Sequence, residues 1–282
     1  ADRVAEAIGA RFGKDKEAGS HFLEKIVQVP INLPEILHED IAKLFFSSLN
    51  EILQENSIEI HQQEFRRFQD LFGSSLQFKI DSPRKAIRYS NAIQFSLPLM
   101  AGEVNVIDLM LLEGLKIFFR KHYEFVKKNY SLLTFNIWLK EDSREFKDKL
   151  DQNYGDLDQG LSDNETESVR NILMELFPTL QTVWKNTVYP SEFYQRITSD
   201  KRIVSREYFN RYFTFSLADN EISDNAFDSL NAQIKLATPA EVANLLKVFA
   251  QTRSIGNIIQ KFRIIERKFS EEESKIIAKG VS

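Results

Sequence analysis

The stretch Ile41-Ala42-Lys43-Leu44-Phe45-Phe46-Ser47-Ser48-Leu49-Asn50-Glu51-Ile52 decides the fold class. Its apolar residues Ile41, Leu44, Phe45, Leu49 and Ile52 recur at the i, i+3, i+4 spacing of one helix face. Val169, Ile172, Leu173 and Leu176 repeat the pattern, as do Val242, Leu245, Leu246 and Phe249, and Ile255, Ile258, Ile259 and Phe262. Start signals agree with the periodicity. Thr238-Pro239-Ala240-Glu241 joins an N-cap residue, a first-turn proline and a capping-box glutamate, Ser270-Glu271-Glu272-Glu273 reads as a second box, and Ser82-Pro83 opens another helix. The expectation is a mainly α chain.

Strand signals are scarce. Ile26-Val27-Gln28-Val29-Pro30-Ile31-Asn32-Leu33 is β-branched and alternates at its end, and Pro30 suits an edge or terminal strand. Leu76-Gln77-Phe78-Lys79-Ile80 alternates over five residues. The run from Val106 to Phe119 is the most apolar. It is shorter than the roughly 20 residues a spanning helix needs, and Glu113 and Lys116 interrupt it, so it reads as a buried core helix. From Asp151 to Ser168 six acidic residues stand with no basic one, and Gly155 and Gly160 interrupt any helix. That composition marks a solvated loop and a domain boundary. The expected organisation is residues 1–34, a helical block 35–153, an acidic linker 154–168 and a second helical block 169–282.

The 282 residues suffice for one large or two modest domains with a real core. Phenylalanine occurs 23 times against 8 Tyr and 2 Trp, which points to packed helical interfaces. No cysteine is present, so disulfide scaffolds, thiolate zinc sites and cysteine nucleophiles are excluded together, in keeping with a reducing, cytoplasmic setting. The net charge of −4 brings no general attraction to nucleic acid or anionic lipid. No signal peptide or transmembrane segment is read. The chain opens on Ala1 with Val4, Ile8 and Phe12 already at helical spacing, as a fragment of a longer protein would.

Four scattered histidines, His21, His38, His61 and His122, offer neither a triad pattern nor a paired metal motif. His21 and Glu24 are three apart and read as a surface pair; no metal site is expected. A phosphate-binding loop needs a glycine-rich turn ending in Gly-Lys-Ser/Thr. None of the 10 glycines stands in that arrangement, and Gly13-Lys14-Asp15 lacks the hydroxyl residue. No apolar strand ends in paired acids. The chain alone is expected not to hydrolyse a nucleotide.

Two basic segments carry the remaining chemistry. In Ser82-Pro83-Arg84-Lys85-Ala86-Ile87-Arg88, Arg84 and Arg88 are four apart on one helix face. Positive charge in a first turn opposes the helix dipole, so it does not serve helix stability. A guanidinium beside a helix N-terminus suits an anion; a solvated basic turn is the other reading. In Arg206 to Phe215, arginines alternate with aromatics. The cluster could stack single-stranded nucleic acid or form a core helix with Phe209, Tyr212 and Phe213 inward. Asp219, Glu221 and Asp224 downstream favour the core, so nucleic-acid binding is not expected.

Gly19-Ser20-His21-Phe22-Leu23-Glu24-Lys25-Ile26-Val27-Gln28-Val29-Pro30-Ile31-Asn32-Leu33-Pro34 resembles a segment of KAP-family P-loop NTPases that follows the Walker B strand and leads into the last strand of the sheet. Ala1 to Gly13 is similar to the helix before it. Ser82 to Asn91 looks like the family's lid helix, which opens on a Pro-Arg pair. Val104 to Asp108 and Tyr208 to Phe215 are similar to later family segments, and the likeness spans roughly Ala1 to Ser229. The resemblance implies the end of an α/β core followed by a helical lid and a C-terminal helical bundle. It gives Arg84 a sensor-2-like role toward the phosphates of ATP, with Arg88 as the second nucleotide-binding candidate. ATP and Mg²⁺ would bind only where the missing P-loop core is supplied. The helical region would contact a protein partner or a second copy in a homo-oligomer. Members of the family occur in bacterial plasmid or phage-exclusion settings and in a membrane-associated animal scaffold, which extends the expectation to antiviral defence. The alternative is a stand-alone helical protein-interaction module without nucleotide chemistry.

Overall fold

A computed structural model of the chain describes residues 2–11, 15–27, 36–134, 143–187, 189–218, 221–251, 255–265, 269–270 and 274–275. The described residues are mainly α-helical, with no strand among them. The expected strand at 26–33 lies outside them except for its first two residues: Ile26 closes a helix and Val27 follows in extended backbone. Glu271 to Glu273 of the second expected capping box also lie outside.

Residues 1–37 form one unit and 38–282 another. The first holds α1 (Asp2–Arg11) and α2 (Lys16–Ile26), packed against each other. Asp15 caps α2 by accepting from the Ala18 N–H at 3.0 Å. A Cβ on Gly19 would lie 1.8 Å from the Ala5 carbonyl oxygen, so only glycine permits this crossing.

The second unit begins with α3 (His38–Glu55), α4 (Gln62–Leu71), α5 (Pro83–Met100), α6 (Val106–Phe118), α7 (Arg120–Lys128) and α8 (Tyr130–Leu133). It continues through α9 (Ser143–Tyr154), α10 (Asp163–Leu176), α11 (Thr179–Trp184), α12 (Ser191–Ser199) and α13 (Arg211–Thr214). Last come α14 (Asp224–Ile234), α15 (Pro239–Ala250) and α16 (Ile255–Ile265). The phenylalanine-rich composition becomes ring packing between helices. Phe45 of α3 stacks on Phe72 at 4.8 Å and on Tyr89 of α5 at 4.9 Å, and the Tyr89 hydroxyl donates to the Met110 carbonyl of α6 at 2.7 Å. Every residue of α6 from Ile107 to Leu115 is buried, as its apolar run predicts.

Two short readings need correction. Leu76 to Ile80 is not a strand: a π-helical turn over Phe72–Leu76 runs into a 3₁₀ turn over Gln77–Lys79. A strand would put Leu76, Phe78 and Ile80 on one face. Here Leu76 and Ile80, four apart, are buried, while Phe78 is 38% exposed. The acidic stretch 151–168 is not a loop throughout, because α9 reaches Tyr154 and α10 starts at Asp163. Two of its acids, Asp158 and Glu165, have partners. Asp158 accepts from His122 at 3.0 Å, Tyr154 at 2.7 Å and Arg170 at 2.9 Å, and Glu165 takes the Ser162 N–H and pairs with Lys79.

A smaller core joins α14, α15 and α16 through Phe227, Leu230, Ile234, Val242 and Ile258. The loop after α5 ties it to the main one. Glu103 accepts from the Asp224 and Asn225 N–H groups at 2.8 and 3.1 Å, capping α14 across 121 residues of chain. Gly102 adopts φ +77°, and a Cβ there would sit 2.0 Å from the Asn225 side chain.

Candidate functional site

Ser82 is extended and Pro83 supplies the first helical residue of α5, so the start of this helix is set by local backbone preference. The Ser82 carbonyl receives the Lys85 and Ala86 N–H groups at 3.0 and 3.1 Å. The inward face of α5 holds Ala86, Tyr89, Ser90, Ile93, Ser96, Leu97 and Met100, all buried. Burial of that face turns the opposite one outward, and it carries Arg84, Ile87, Arg88, Asn91, Phe95 and Leu99.

The three basic residues of the first turns have different fates. Lys85 donates to Asp81 at 2.7 Å, and this bond holds the Asp81 carboxyl below its ordinary range. Arg84 and Arg88 are exposed and have no ion-pair or hydrogen-bond partner among the described residues. The structure therefore puts both arginines on one face, as their spacing predicts. At the first turn their charge adds to the positive end of the helix dipole. Apolar groups continue the same face, with Ile87 49%, Phe95 66% and Leu99 51% exposed.

The other arginines seen in the sequence go elsewhere. In the Arg206–Phe215 segment Tyr208, Phe209 and Tyr212 are buried as the core reading expects, while Phe213 and Phe215 are half-buried and the helix covers only Arg211–Thr214. Arg211 is 3% exposed. It donates to Glu221 at 2.7 Å, to Glu103 at 3.0 Å and to Asp224 at 2.5 Å. Burial alone would raise the Asp224 carboxyl, but Lys201, Lys261 and Arg211 outweigh it and hold the group below its ordinary value. A second ionic centre surrounds the fully buried Asp108, which accepts from Arg202 at 2.7 Å, Arg67 at 3.2 Å and the Ile203 N–H at 3.0 Å. Glu175 completes it, 2.8 Å from Arg67. Sequence reasoning missed both centres, and the one available signal was Asp108 inside an apolar run. His21 and Glu24 are 3.5 Å apart, and both are exposed. Among the described residues no group of three or more His, Asp or Glu is placed to hold a metal ion, and no helix is long and apolar enough to cross a membrane.

The model of the KAP family P-loop domain matches residues 1–100, a stretch that contains α5 and both free arginines. No curated protein and no solved structure matches the chain.

Proposed function

We propose, from the match of residues 1–100 to the model of the KAP family P-loop domain, that the chain supplies the helical lid of such an ATPase and that Arg84 is its nucleotide-facing residue. The observation that carries this reading is the pair of unpaired, exposed guanidiniums at the N-terminus of a helix whose other face is locked in the core. A guanidinium already neutralised by carboxylates has little to offer a phosphate. One held without a counter-ion, where N–H groups and the dipole point the same way, favours negative charge.

Joined to a phosphate-binding loop that holds ATP and Mg²⁺, Arg84 would lie against charge developing on the transferring phosphoryl group, and Arg88 would stand one turn behind it. The remaining helices would couple the nucleotide state to a protein partner or to self-assembly. The test is ATP turnover of the P-loop-containing protein with Arg84→Ala. Turnover should fall by about 10²-fold or more, on the scale of removing one positioned donor. Unchanged turnover overturns the assignment.

The exposed Ile87, Phe95 and Leu99 favour a second reading, in which the same face docks a protein without nucleotide chemistry. Under it, Phe95→Asp abolishes partner capture and Arg84→Ala leaves it intact.

A further inference from the structure

A nucleotide held by Arg84 would leave most of the outer face of α5 bare. From Arg88 to Leu99 that face runs on for about 16 Å of helix. Arg88, Asn91, Phe95 and Leu99 step along it at three- and four-residue spacing, and all four are exposed. Such a row offers the ridges and grooves into which a second helix packs.

Two features of the row point to its occupant. Phe95 is 66% exposed, yet its ring is held: Phe215 stands edge-on to it at 6.2 Å, and the Lys116 ammonium lies 5.2 Å over the Phe215 ring. Phe215 reaches this place from a left-handed backbone, φ +50°, which a bulky residue rarely adopts. Strain of this kind gathers at functional surfaces. An exposed ring fixed in one orientation loses little freedom on binding, as an interface anchor should. The second feature is charge. Lys116 is met within the fold by the buried Glu113 carboxylate at 3.0 Å, whereas Arg88 has no ion-pair or hydrogen-bond partner among the described residues. An occupant covering Phe95 and Leu99 would also take water from the Arg88 guanidinium. An apolar group there would leave that charge desolvated and unpaired, whereas a carboxylate meets it with two N–H donors.

We propose that this face docks an amphipathic helix of a partner protein whose apolar side chains cover Phe95 and Leu99 and whose carboxylate meets Arg88. The inference rests on the protein-docking reading of the face and gives the partner its chemistry. Arg84, one turn nearer the start of α5, lies outside the contact.

Fluorescence anisotropy with the 282-residue chain tests this on labelled, designed helical peptides of about 14 residues, about four turns. Each carries a row of leucines that ends in Glu, Gln or Lys, with that residue placed at either end so that both helix directions are covered. Saturable binding of a Glu peptide with a Kd below about 100 µM is expected, with its Gln counterpart weaker by about fivefold or more and its Lys counterpart weaker still. Arg88→Glu should reverse the order of the Glu and Lys peptides, which a purely structural role for Arg88 would not produce. Phe95→Asp should abolish binding of all of them. Equal binding of the Glu and Gln peptides, lost in Phe95→Asp, would leave the docking reading standing and overturn the acidic partner. No saturable binding of any peptide, or sedimentation with phosphatidylserine vesicles in its place, overturns the docking reading and this inference together.

Discussion

Arg211 and Arg84 are the same residue type put to opposite uses. Arg211 is 3% exposed and surrounded by Glu103, Glu221 and Asp224, whereas Arg84 is exposed with no partner among the described residues. The first joins the α14 region to the loop after α5, and removing it would take a shared guanidinium from three carboxylates. The second touches nothing that holds the fold together. The contrast separates charge that specifies structure from charge left available to a ligand: burial and counter-ions mark the former, exposure at a helix N-terminus the latter.

The largest effect that can break this contrast is on stability. Arg211→Leu should destabilise the protein by about 3–5 kcal/mol, the scale of breaking a buried ion pair. Urea unfolding measures it, and a loss under about 1 kcal/mol would mean that the three acids find other partners. Arg84→Ala should do the reverse. Its stability should change by no more than about 0.5 kcal/mol, as for most surface substitutions, while under the proposed function ATP turnover of the P-loop-containing protein should fall by about 10²-fold, near 2.7 kcal/mol. A destabilised Arg84→Ala protein would show that the residue has a structural partner after all.

His122 sharpens the comparison through pH. Its ring is 2% exposed, and burial lowers its pKa more than the Asp158 hydrogen bond and charge raise it; Lys121 and Arg170 oppose its protonation too. The unfolded chain therefore takes up a proton first as pH falls. Stability should drop as pH passes below about 6.5, the ordinary histidine value, and level off below the folded-state pKa. Thermal melts from pH 7.5 to 5 should show that slope in the native protein and a flatter one in His122→Gln. An equal slope in both would assign the acid sensitivity to other groups. The smallest effect belongs to Lys85 and Asp81, exposed partners 2.7 Å apart. Lys85→Ala should cost no more than about 1 kcal/mol. It should also leave ATP turnover within about twofold, far from the loss expected at Arg84.

Much of the secondary structure was legible before any coordinates. The Ile41–Ile52 and Val169–Leu176 faces are helical, with Ile41, Phe45, Leu49 and Ile52 of the first inward and Leu44 38% exposed, the Val106–Phe119 run is the buried α6, and Thr238 to Glu241 starts α15. Periodicity and capping act over three or four residues, so they are written in the local order of the chain. The placement of Arg84 and Arg88 on one helix face was legible for the same reason; that this face is the outward one was decided by packing, because Ile87, Phe95 and Leu99 share it. The five-residue alternation at Leu76–Ile80 misled because Leu76 and Ile80 also satisfy helical spacing, and packing chose between the two periods.

By itself, then, the sequence determined most of the helices, much of their buried faces and the shared face of Arg84 and Arg88, because each depends on neighbours a few positions away. Only the tertiary structure decided that Asp108 meets Arg67 and Arg202, that Glu103 caps α14 and anchors Arg211, and that the Asn231 Oδ1 is buried without a hydrogen-bond partner. Those partners stand 41 to 121 positions apart. A buried charge announces that it needs a counter-ion, but which one it finds depends on how the helices pack.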